Sequence, residues 1–409
     1  MQLNDTYDRI YDQLAGHFAL DSNLRLGVAV SGGSDSVALL QLLSRFSAQQ
    51  GRSLEAVTVN HQLRPEAADE AAYVASMCEG LGVRHETLEW SDWDKQGNLQ
   101  SEARNARYAL ISEWARRRKV NVVALGHTQN DQAETFLMRL SREAGVDGLA
   151  AMDEAFARDG VNYCRPILHL TRDELQAYLR HKNISWCEDP SNDDMHYLRV
   201  RARKAVEVLS SLGIEAQSIS HVAGNLKDAR NALNEMALSA AQKIAHTRDG
   251  DVVFDRAGLL AAPFEIQRRL LAKALNWVNP SDYPPRRKAI SELADAISNR
   301  KKFTLNGCLI LASDLVCVTR EYGAVQDMIS TNPTWDQWIL EGDWRDGIQL
   351  RALGDPAKAG LRDWRDLGVP RESLMSSPSV WYGETMIAAP VAGWQNGWRA
   401  RLLRRDFID

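Results

Sequence analysis

The chain has 409 residues, of which 44% are hydrophobic and 25% charged, and its net charge is −5. These values are ordinary for a soluble globular protein of two or three domains. No apolar run approaches the length that spans a bilayer, so we expect a cytoplasmic protein without a membrane partner. The five cysteines include no CxxC pair, which argues against a disulfide framework and against a zinc or iron–sulfur site.

The first strongly patterned segment covers residues 26–46. An apolar strand at 26–30 is followed directly by the turn SGGSDS and by an apolar helical pattern from residue 37. Glycines let the backbone approach an anion, and a helix N-terminus adds roughly half a positive charge. Because the turn lacks the lysine of a GxxxxGK[ST] loop, the pattern predicts a pyrophosphate-binding cradle. The cradle consists of Ser31, Gly32, Gly33, Ser34, Asp35 and Ser36.

Strands and helices alternate up to about residue 188. Further strands are predicted at 54–60, 85–90 and 120–126, with helices such as 66–80 and 99–118 between them. This alternation predicts an α/β fold with a doubly wound, Rossmann-like parallel sheet. In such a sheet, ligands bind at the carboxyl ends of the strands.

Two patterns near the cradle supply candidate side chains. Asn60 and His61 follow the second strand, where we expect them to border the base or ribose of a nucleotide. Arg104 and Arg107 are three residues apart on one helix face, which allows them to grip a phosphate or an exposed nucleotide. An ordinary polar loop and a solvated helix face remain the alternative interpretations.

The segment GHTQNDQAETFLMRL, which begins at Gly126, supplies two carboxylates. Asp131 opens a helix, and Glu134 follows three residues later on the same face. Two carboxylates beside a nucleotide can hold Mg²⁺, act as a general base or bind a cationic substrate. The alternative is a pair of capping acids that interact with the helix dipole.

The pattern changes after residue 190. Residues 194–245 are predicted to be mostly helical, and a strand near 251–254, two helices and a hairpin-like pair within 302–319 follow. Seven of the twelve tryptophans lie after residue 334, among short apolar runs that predict a small α+β domain rich in strands.

The predicted domains are therefore residues 1–215, a mainly helical 216–328 and the small 329–409. Residues 216–330 carry 15 basic and 12 acidic side chains, whereas residues 1–215 carry 24 and 31. Because phosphate binding depends on local charge, the middle segment can bind nucleic acid despite the negative total.

Several motifs together resemble one family. In chain order they are SGGSDS, NHQLRP, GNLQSEARNARY, GHTQNDQAETFLMRLSREAGVDGL, RPILHLTRDELQAYL and EDPSNDDMHYLRVRAR. The first resembles the PP-loop of the N-type ATP pyrophosphatases, and the whole series resembles the bacterial tRNA(Ile)-lysidine synthetases. The resemblance implies that ATP adenylates the C2 oxygen of the wobble cytidine in tRNA(Ile) with a CAU anticodon. Free L-lysine would then displace AMP to form lysidine.

The resemblance also implies roles for the matching residues. The ATP site would consist of the cradle together with Asn60 and His61, and Asp35 would hold Mg²⁺. The implied catalytic residues are Asp35, Arg107, His127 and Asp131. The residues implied to bind lysine or cytidine are Arg104, Asp131 and Glu134. Charge patterning adds a basic cluster where the first predicted domain meets the basic middle segment, and we expect it to bind tRNA phosphates. Its members are Arg199, Arg201, Arg203 and Lys204. A solvated helix surface is the alternative interpretation.

Three positions depart from the family pattern. They are Asn130, where a second aspartate is usual, Val200, where an asparagine is usual, and residues 141–145, which replace a more basic loop. Three alternative functions are a tRNA thiolase of the same fold, a glutamine-dependent ligase and a non-catalytic RNA-binding module. The sequence leaves open which carboxylate is the general base and whether the protein forms a homodimer.

Overall fold

The computed structural model describes residues 3–18, 25–62, 66–91, 99–188, 194–281, 285–361 and 363–408. Parts of the quoted motifs, namely residues 63–65, 97–98 and 189–193, lie outside the described residues. The chain divides into two compact units, Met1–Arg230 and Asn231–Asp409. The predicted division into three domains, with boundaries after residues 215 and 328, stays a prediction.

A six-stranded sheet forms the centre of the first unit. Its strands are β1 (Leu26–Ala29), β2 (Leu54–Asn60), β3 (Arg84–Glu89), β4 (Val122–Leu125), β5 (Ala155–Arg158) and β6 (Val161–Cys164). Their spatial order is β3-β2-β1-β4-β6-β5. All neighbours pair in parallel except β5, which pairs antiparallel with β6 at one edge. This arrangement confirms the predicted doubly wound parallel sheet.

Helices cover both faces of this sheet. The helices of the first unit are α1 (Leu3–Phe18), α2 (Ser34–Gln50), α3 (Ala67–Gly80), α4 (Leu99–Arg118), α5 (Gln129–Leu140), α6 (Val146–Leu149), α7 (Arg172–His181) and α8 (Leu198–Leu209), and α9 (Ala216–Ile244) contains the unit boundary. Leu26 and Val28 of β1 share a core with α1, α2, α3 and α7. Val57 and Val123 pack instead against Trp114 of α4. Because alternate residues of a strand point to opposite faces, both sides of the sheet are buried.

The hairpin of β5 and β6 was not predicted. Its turn contains Asp159 and Gly160, both with positive φ (50° and 74°). An Asp-Gly pair favours a turn of this kind, so the dipeptide was the signal available in the sequence. The hairpin extends the sheet beyond β4 and brings residues 164–165 beside the end of that strand.

The second unit contains the rest of the predicted helical and strand-rich regions. Its helices are α10 (Arg256–Ala261), α11 (Phe264–Val278), α12 (Arg287–Ser298) and α13 (Arg371–Met375). Its strands are β7 (Ala245–Arg248), β8 (Asp251–Asp255), β9 (Phe303–Leu305), β10 (Cys308–Ala312), β11 (Leu315–Arg320), β12 (Thr334–Trp335), β13 (Trp338–Glu341), β14 (Ile348–Ala352), β15 (Pro378–Tyr382), β16 (Thr385–Ala388) and β17 (Arg399–Leu402).

Three sheets organise these strands. A five-stranded antiparallel sheet, ordered β7-β8-β11-β10-β9, shares a core with α11 and α12. The strand predicted near residues 251–254 is β8, and the predicted hairpin-like pair contains β10 and β11. Two three-stranded sheets, β12-β13-β17 and β14-β15-β16, follow. Their core includes Trp335, Trp338 and Trp398, which accounts for the tryptophan-rich sequence of this region.

Two further findings concern the described part of the chain. None of its helices combines the length and apolar character needed to cross a membrane. The five cysteines are free, and four of them, all except Cys187, are buried.

Candidate active site

The connection between β1 and α2 forms the predicted cradle. Gly32 has a φ of +90°, a conformation that favours glycine, and Gly33 is the extended N-cap residue of α2. The Ser36 hydroxyl accepts a hydrogen bond from the Ser31 N–H at 3.1 Å and donates one to the Gly33 carbonyl at 3.0 Å. The N-terminus of α2 therefore lies at the carboxyl end of β1, where the helix dipole favours an anion.

Close packing joins the end of β4 to the cradle. A Cβ atom on Gly126 would lie 2.9 Å from the Ser36 Cα and 3.0 Å from the Ser36 N, so any side chain here would displace the first turn of α2. On the other side, the Cys187 N–H donates to the Gly32 carbonyl at 2.9 Å. The carboxyl ends of β1 and β4 consequently share one site, as expected for a doubly wound sheet.

Helix α5, which follows β4, begins with a capping box. Asp131 Oδ2 accepts hydrogen bonds from the Thr128 N–H at 2.7 Å and from the Thr128 hydroxyl at 3.0 Å. Asp131 is only 7% exposed and Glu134 only 1%. Two buried carboxylates need charged or hydrogen-bonding partners, because burial of an unpaired charge is costly. We refer to Asp131 and Glu134 as the acid pair.

Two arginines of α8 supply such partners. Arg199 donates to Asp131 Oδ1 at 2.6 Å and to Glu134 Oε2 at 2.7 Å. Arg203, one turn later, donates to Glu134 Oε1 at 2.9 Å. Asp131 therefore caps α5 with one oxygen and binds a guanidinium with the other, so capping describes only half of its role.

A third arginine connects the acid pair to the cradle. Arg172 is the first residue of α7, and its Nε donates to Asp35 Oδ2 at 3.2 Å. Its terminal nitrogens lie 3.8 Å from Asp131 Oδ1 and 3.9 Å from Glu134 Oε1. The acid of the cradle and the acid pair of α5 thus belong to one network of charges.

The pKa values of the two aspartates shift in opposite directions. Burial raises the pKa of Asp35 above its ordinary value, although the Arg172 guanidinium opposes this effect. Burial also opposes ionisation of Asp131, but the Arg199 and Arg172 guanidiniums hold the pKa of that carboxyl below its ordinary value. Asp131 is therefore ionised at neutral pH and suited to bind a cation.

His127 lies at the end of β4 beside a buried arginine. Arg165 Nε donates to His127 Nδ1 at 3.1 Å, and Arg165 Nη1 donates to the Asp153 carbonyl. An imidazole that accepts at Nδ1 carries its proton on Nε2. Burial, reinforced by the Arg165 charge, holds the pKa of His127 well below its ordinary value even though Asp131 favours the cation. His127 is thus a neutral donor, and its predicted catalytic role stays a prediction.

The end of β2 meets α4 through His61 and Arg107. Arg107 Nε donates to His61 Nε2 at 3.2 Å. Burial and the Arg107 charge lower the pKa of His61 to about 4, so the imidazole is neutral at physiological pH. The structure therefore brings together one residue predicted to bind ATP and one predicted to act in catalysis.

Asn60 and Arg104 make more local contacts. The Asn60 side chain accepts a hydrogen bond from the Gln62 N–H at 2.9 Å. The Arg104 guanidinium lies 5.1 Å from the centre of the Tyr108 ring, within the range of a cation–π contact. Their contacts with nucleotide and cytidine stay predictions.

The four basic residues predicted to bind tRNA separate into two kinds. Arg199 and Arg203 contact the acid pair, as described above. Arg201 is exposed, and Lys204 pairs with Glu207 at 3.3 Å on the surface. A spacing of four residues places Arg199 and Arg203 on one helix face, and this spacing was the signal that could have separated them. Contact of all four with tRNA stays a prediction.

Sequence reasoning did not single out Arg165 or Arg172. The capping box of Thr171 and Glu174 marks the start of α7 and so places Arg172 in its first turn. A cation in the first turn of a helix interacts unfavourably with the helix dipole. The unusual position of Arg172 could therefore have indicated a functional role from the sequence alone. Asn130, one of the departures from the family pattern, accepts the Arg172 N–H on its Oδ1 at 2.9 Å. The amide therefore fixes the start of α7.

The donor set around Asp35 fits a magnesium ion that arrives with a nucleotide. Across the described residues, no three His, Cys, Asp or Glu side chains are placed to hold a metal. Asp35 supplies one carboxylate at the cradle, and its Oδ1 accepts from the Ser34 hydroxyl at 3.0 Å. Mg²⁺ commonly takes one or two carboxylates and completes its shell with water and substrate phosphates.

Comparison with known proteins adds independent information. Residues 3–209 match the PP-loop domain family. A tRNA(Ile)-lysidine synthase of Ruegeria pomeroyi is 46% identical over 399 residues, which cover 96% of this chain and 94% of the relative. Proteins of the same name from Rhodopseudomonas palustris and Wolbachia pipientis wMel are 39% and 33% identical. Those two similarities cover 66% and 76% of this chain and 79% and 74% of the relatives.

Proposed function

The chain belongs to the tRNA(Ile)-lysidine synthase family, and on this premise we propose that it is an AMP-forming ligase of ATP, L-lysine and tRNA. The RNA substrate is tRNA(Ile) with a CAU anticodon, and the product is lysidine at the wobble position. The observation that carries the proposal is the position of a buried acid pair beside a glycine-rich cradle. The cradle suits the pyrophosphate of ATP, and the acid pair suits the ammonium group of lysine.

The proposed reaction has two steps. In the first, the C2 oxygen of the cytidine attacks the α-phosphorus of ATP, and pyrophosphate leaves from the cradle. In the second, the ε-nitrogen of lysine attacks C2, the C2–oxygen bond breaks, and AMP leaves while the nitrogen loses a proton. Mg²⁺, held by Asp35 with the phosphates, would offset negative charge that the dipole of α2 alone cannot.

The acid pair suits the lysine step. The free ammonium group has a pKa of about 10.4, so lysine arrives as a cation and must lose a proton before it attacks. Asp131, with its lowered pKa, is a weak base and suits ammonium binding better than proton removal. Glu134 accepts hydrogen bonds from two guanidiniums, so a substrate ammonium must compete with Arg199 and Arg203 for it.

Arginine and imidazole groups suit the nucleotide step. We assign Arg107, with Arg104, to the cytidine or its adenylate, and neutral His127 to a hydrogen bond from Nε2 toward the α-phosphate. Such donors stabilise charge that develops in the transition state. We assign Arg201 and Lys204, with Arg199 and Arg203, to the tRNA backbone, and we place the reaction in the cytoplasm.

One experiment tests this function. The purified protein is incubated with ATP, radiolabelled lysine and a tRNA(Ile) transcript bearing CAU, and label in the RNA is measured. The matched control is the same transcript with uridine at the wobble position. We expect label in the first transcript only, with one AMP and one pyrophosphate released for each lysine incorporated. Folded protein that incorporates no label would contradict the proposal.

The alternative functions have distinct outcomes in the same assay. A tRNA thiolase needs a persulfide or cluster-binding cysteine, and the five free cysteines include four buried thiols. It would leave lysine unincorporated and would insert sulfur. A non-catalytic RNA-binding module would release no pyrophosphate from ATP.

A further inference from the structure

Arg172 occupies a defined position between two substrate sites. The backbone N–H of Arg172 donates to Asn130 Oδ1 at 2.9 Å, and the backbone N–H of Gln129 donates to the Leu170 carbonyl at 2.8 Å. These two hydrogen bonds hold the start of α7 against the start of α5. The backbone of Arg172 is therefore fixed relative to α5.

The Arg172 side chain contacts both sites, with unequal strength. Its hydrogen bond with Asp35, at 3.2 Å, is directed to the cradle. Its distances to Asp131 and Glu134, 3.8 and 3.9 Å, are ion-pair distances without hydrogen bonds. Arg199 and Arg203 pair with the acid pair at 2.6–2.9 Å. Arg172 is thus the cation that joins the acid pair to the cradle.

We propose that Arg172 is a positioning residue that couples ATP binding at the cradle to lysine binding at the acid pair. The inference rests on the proposed function and adds a residue and an interaction between substrates to it. Arg172 is placed to sense both ligands because one guanidinium is shared by carboxylates of the two sites.

The direction of the coupling follows from charge. Phosphate oxygens at the cradle attract the Arg172 guanidinium, because phosphate binds arginine strongly and through two hydrogen bonds. A guanidinium drawn toward the cradle neutralises the acid pair less. The acid pair then binds an incoming ammonium more tightly, so ATP favours lysine. Linkage requires that lysine favours ATP by the same factor.

The experiment measures this coupling without chemistry. The lysine dissociation constant of the full-length protein is determined by calorimetry with and without α,β-methylene-ATP, whose bridging carbon prevents cleavage at the α–β bond. Coupling between sites usually changes affinity about 5- to 150-fold. We expect the analogue to tighten lysine binding to the wild type at least about fivefold.

Two substitutions of Arg172 and one matched control locate the effect. The ratio to compare is the lysine dissociation constant without the analogue divided by that with it. Arg172→Gln should still bind each ligand, but this ratio should be near one. Arg172→Lys keeps the charge but loses the planar fork, and an intermediate ratio is expected. Arg203→Gln removes a cation from Glu134 but does not involve the cradle, so its lysine affinity should change while the ratio persists. Circular dichroism establishes that each variant is folded.

Several results would overturn the inference. They are a ratio of one in the wild type, an unchanged ratio in Arg172→Gln, or an equal loss of the ratio in Arg203→Gln. If Arg172→Gln does not fold, the ratio of Arg172→Lys decides, and a wild-type value counts against the inference. Absence of lysine binding in both conditions would also overturn it. The proposed function is judged separately by incorporation of labelled lysine into tRNA.

Discussion

Two buried aspartates, one in each unit, respond differently to burial. Asp131 is 7% exposed and Asp251 is 2% exposed. Burial disfavours the charge of both, but the guanidinium of Arg199 is the main partner that holds the pKa of Asp131 below its ordinary value. Asp251 accepts a hydrogen bond from Cys317 Sγ at 3.2 Å, and burial raises its pKa to about 6.

The comparison shows that burial alone does not identify a functional acid. A carboxylate surrounded by hydroxyl and thiol groups, such as Asp251, is a structural hydrogen-bonding group of the second unit. A carboxylate kept ionised by arginine partners, such as Asp131, suits the cation binding that we propose for it. Arg199 also pairs with Glu134, and Arg172 also pairs with Asp35.

The largest effect is expected from Asp35→Ala, which removes the carboxylate of the cradle. Pyrophosphate release with ATP, lysine and tRNA should fall by roughly 10³-fold or more, because charge on the leaving pyrophosphate is no longer offset. Thermal unfolding should show an intact fold. Asp251→Asn serves as the control and should retain activity, since Asp251 is buried and bonds to Ser373, Thr319 and Cys317 rather than to the cradle or the acid pair. Wild-type pyrophosphate release by folded Asp35→Ala would refute this assignment.

Glu134→Gln tests whether the acid pair, unlike Asp251, binds a substrate. The test compares the KM values for lysine, ATP and tRNA. Loss of the charge weakens ammonium binding, so the KM for lysine should rise about tenfold or more. The KM values for ATP and tRNA should stay near those of the wild type. A purely capping role predicts instead a stability loss of about 1 kcal/mol or less without any selective change. An equal rise of all three KM values would rule out a lysine pocket here.

Asp251→Asn should alter stability rather than catalysis. The pKa of Asp251 is about 6 in the folded protein against an ordinary 3.8, so the folded state holds this proton more firmly. The free energy of unfolding should therefore decrease as the pH rises from about 4 to about 6, by on the order of 3 kcal/mol. Tryptophan fluorescence in urea measures this, and the variant should lose that decrease. The same pH dependence in wild type and variant would contradict the assignment.

The smallest effect is expected for tRNA binding by α8. Each lost phosphate contact should reduce the salt slope of log affinity by roughly 0.7 to 0.9. If both Arg201 and Arg203 contact phosphate, the double alanine variant loses about twice that amount. Because Arg203 is paired with Glu134 in the structure, Arg201→Ala alone is the matched comparison. An unchanged slope in the double variant would mean a solvated helix surface.

The sequence by itself determined the cradle, the parallel sheet and the position of the acid pair. Each of these features is marked by a pattern of residues close together in the chain. The glycine turn directly follows the strand that presents it, and Asp131 and Glu134 are separated by one helical turn. Local pattern therefore predicted both the cradle and the acid pair. It also predicted the strand-rich C-terminal region from short apolar runs.

Only the tertiary structure decided which cations neutralise these acids. Arg172 is 137 residues from Asp35, and Arg199 is 65 residues from Glu134. Such pairs depend on how α7 and α8 pack on α5, and helical spacing within one element carries no information about that packing. The sequence therefore assigned Arg199 and Arg203 to tRNA alone and did not single out Arg172. A charged side chain shows its partner only when distant elements meet, because long-range packing fixes both its position and its dielectric surroundings.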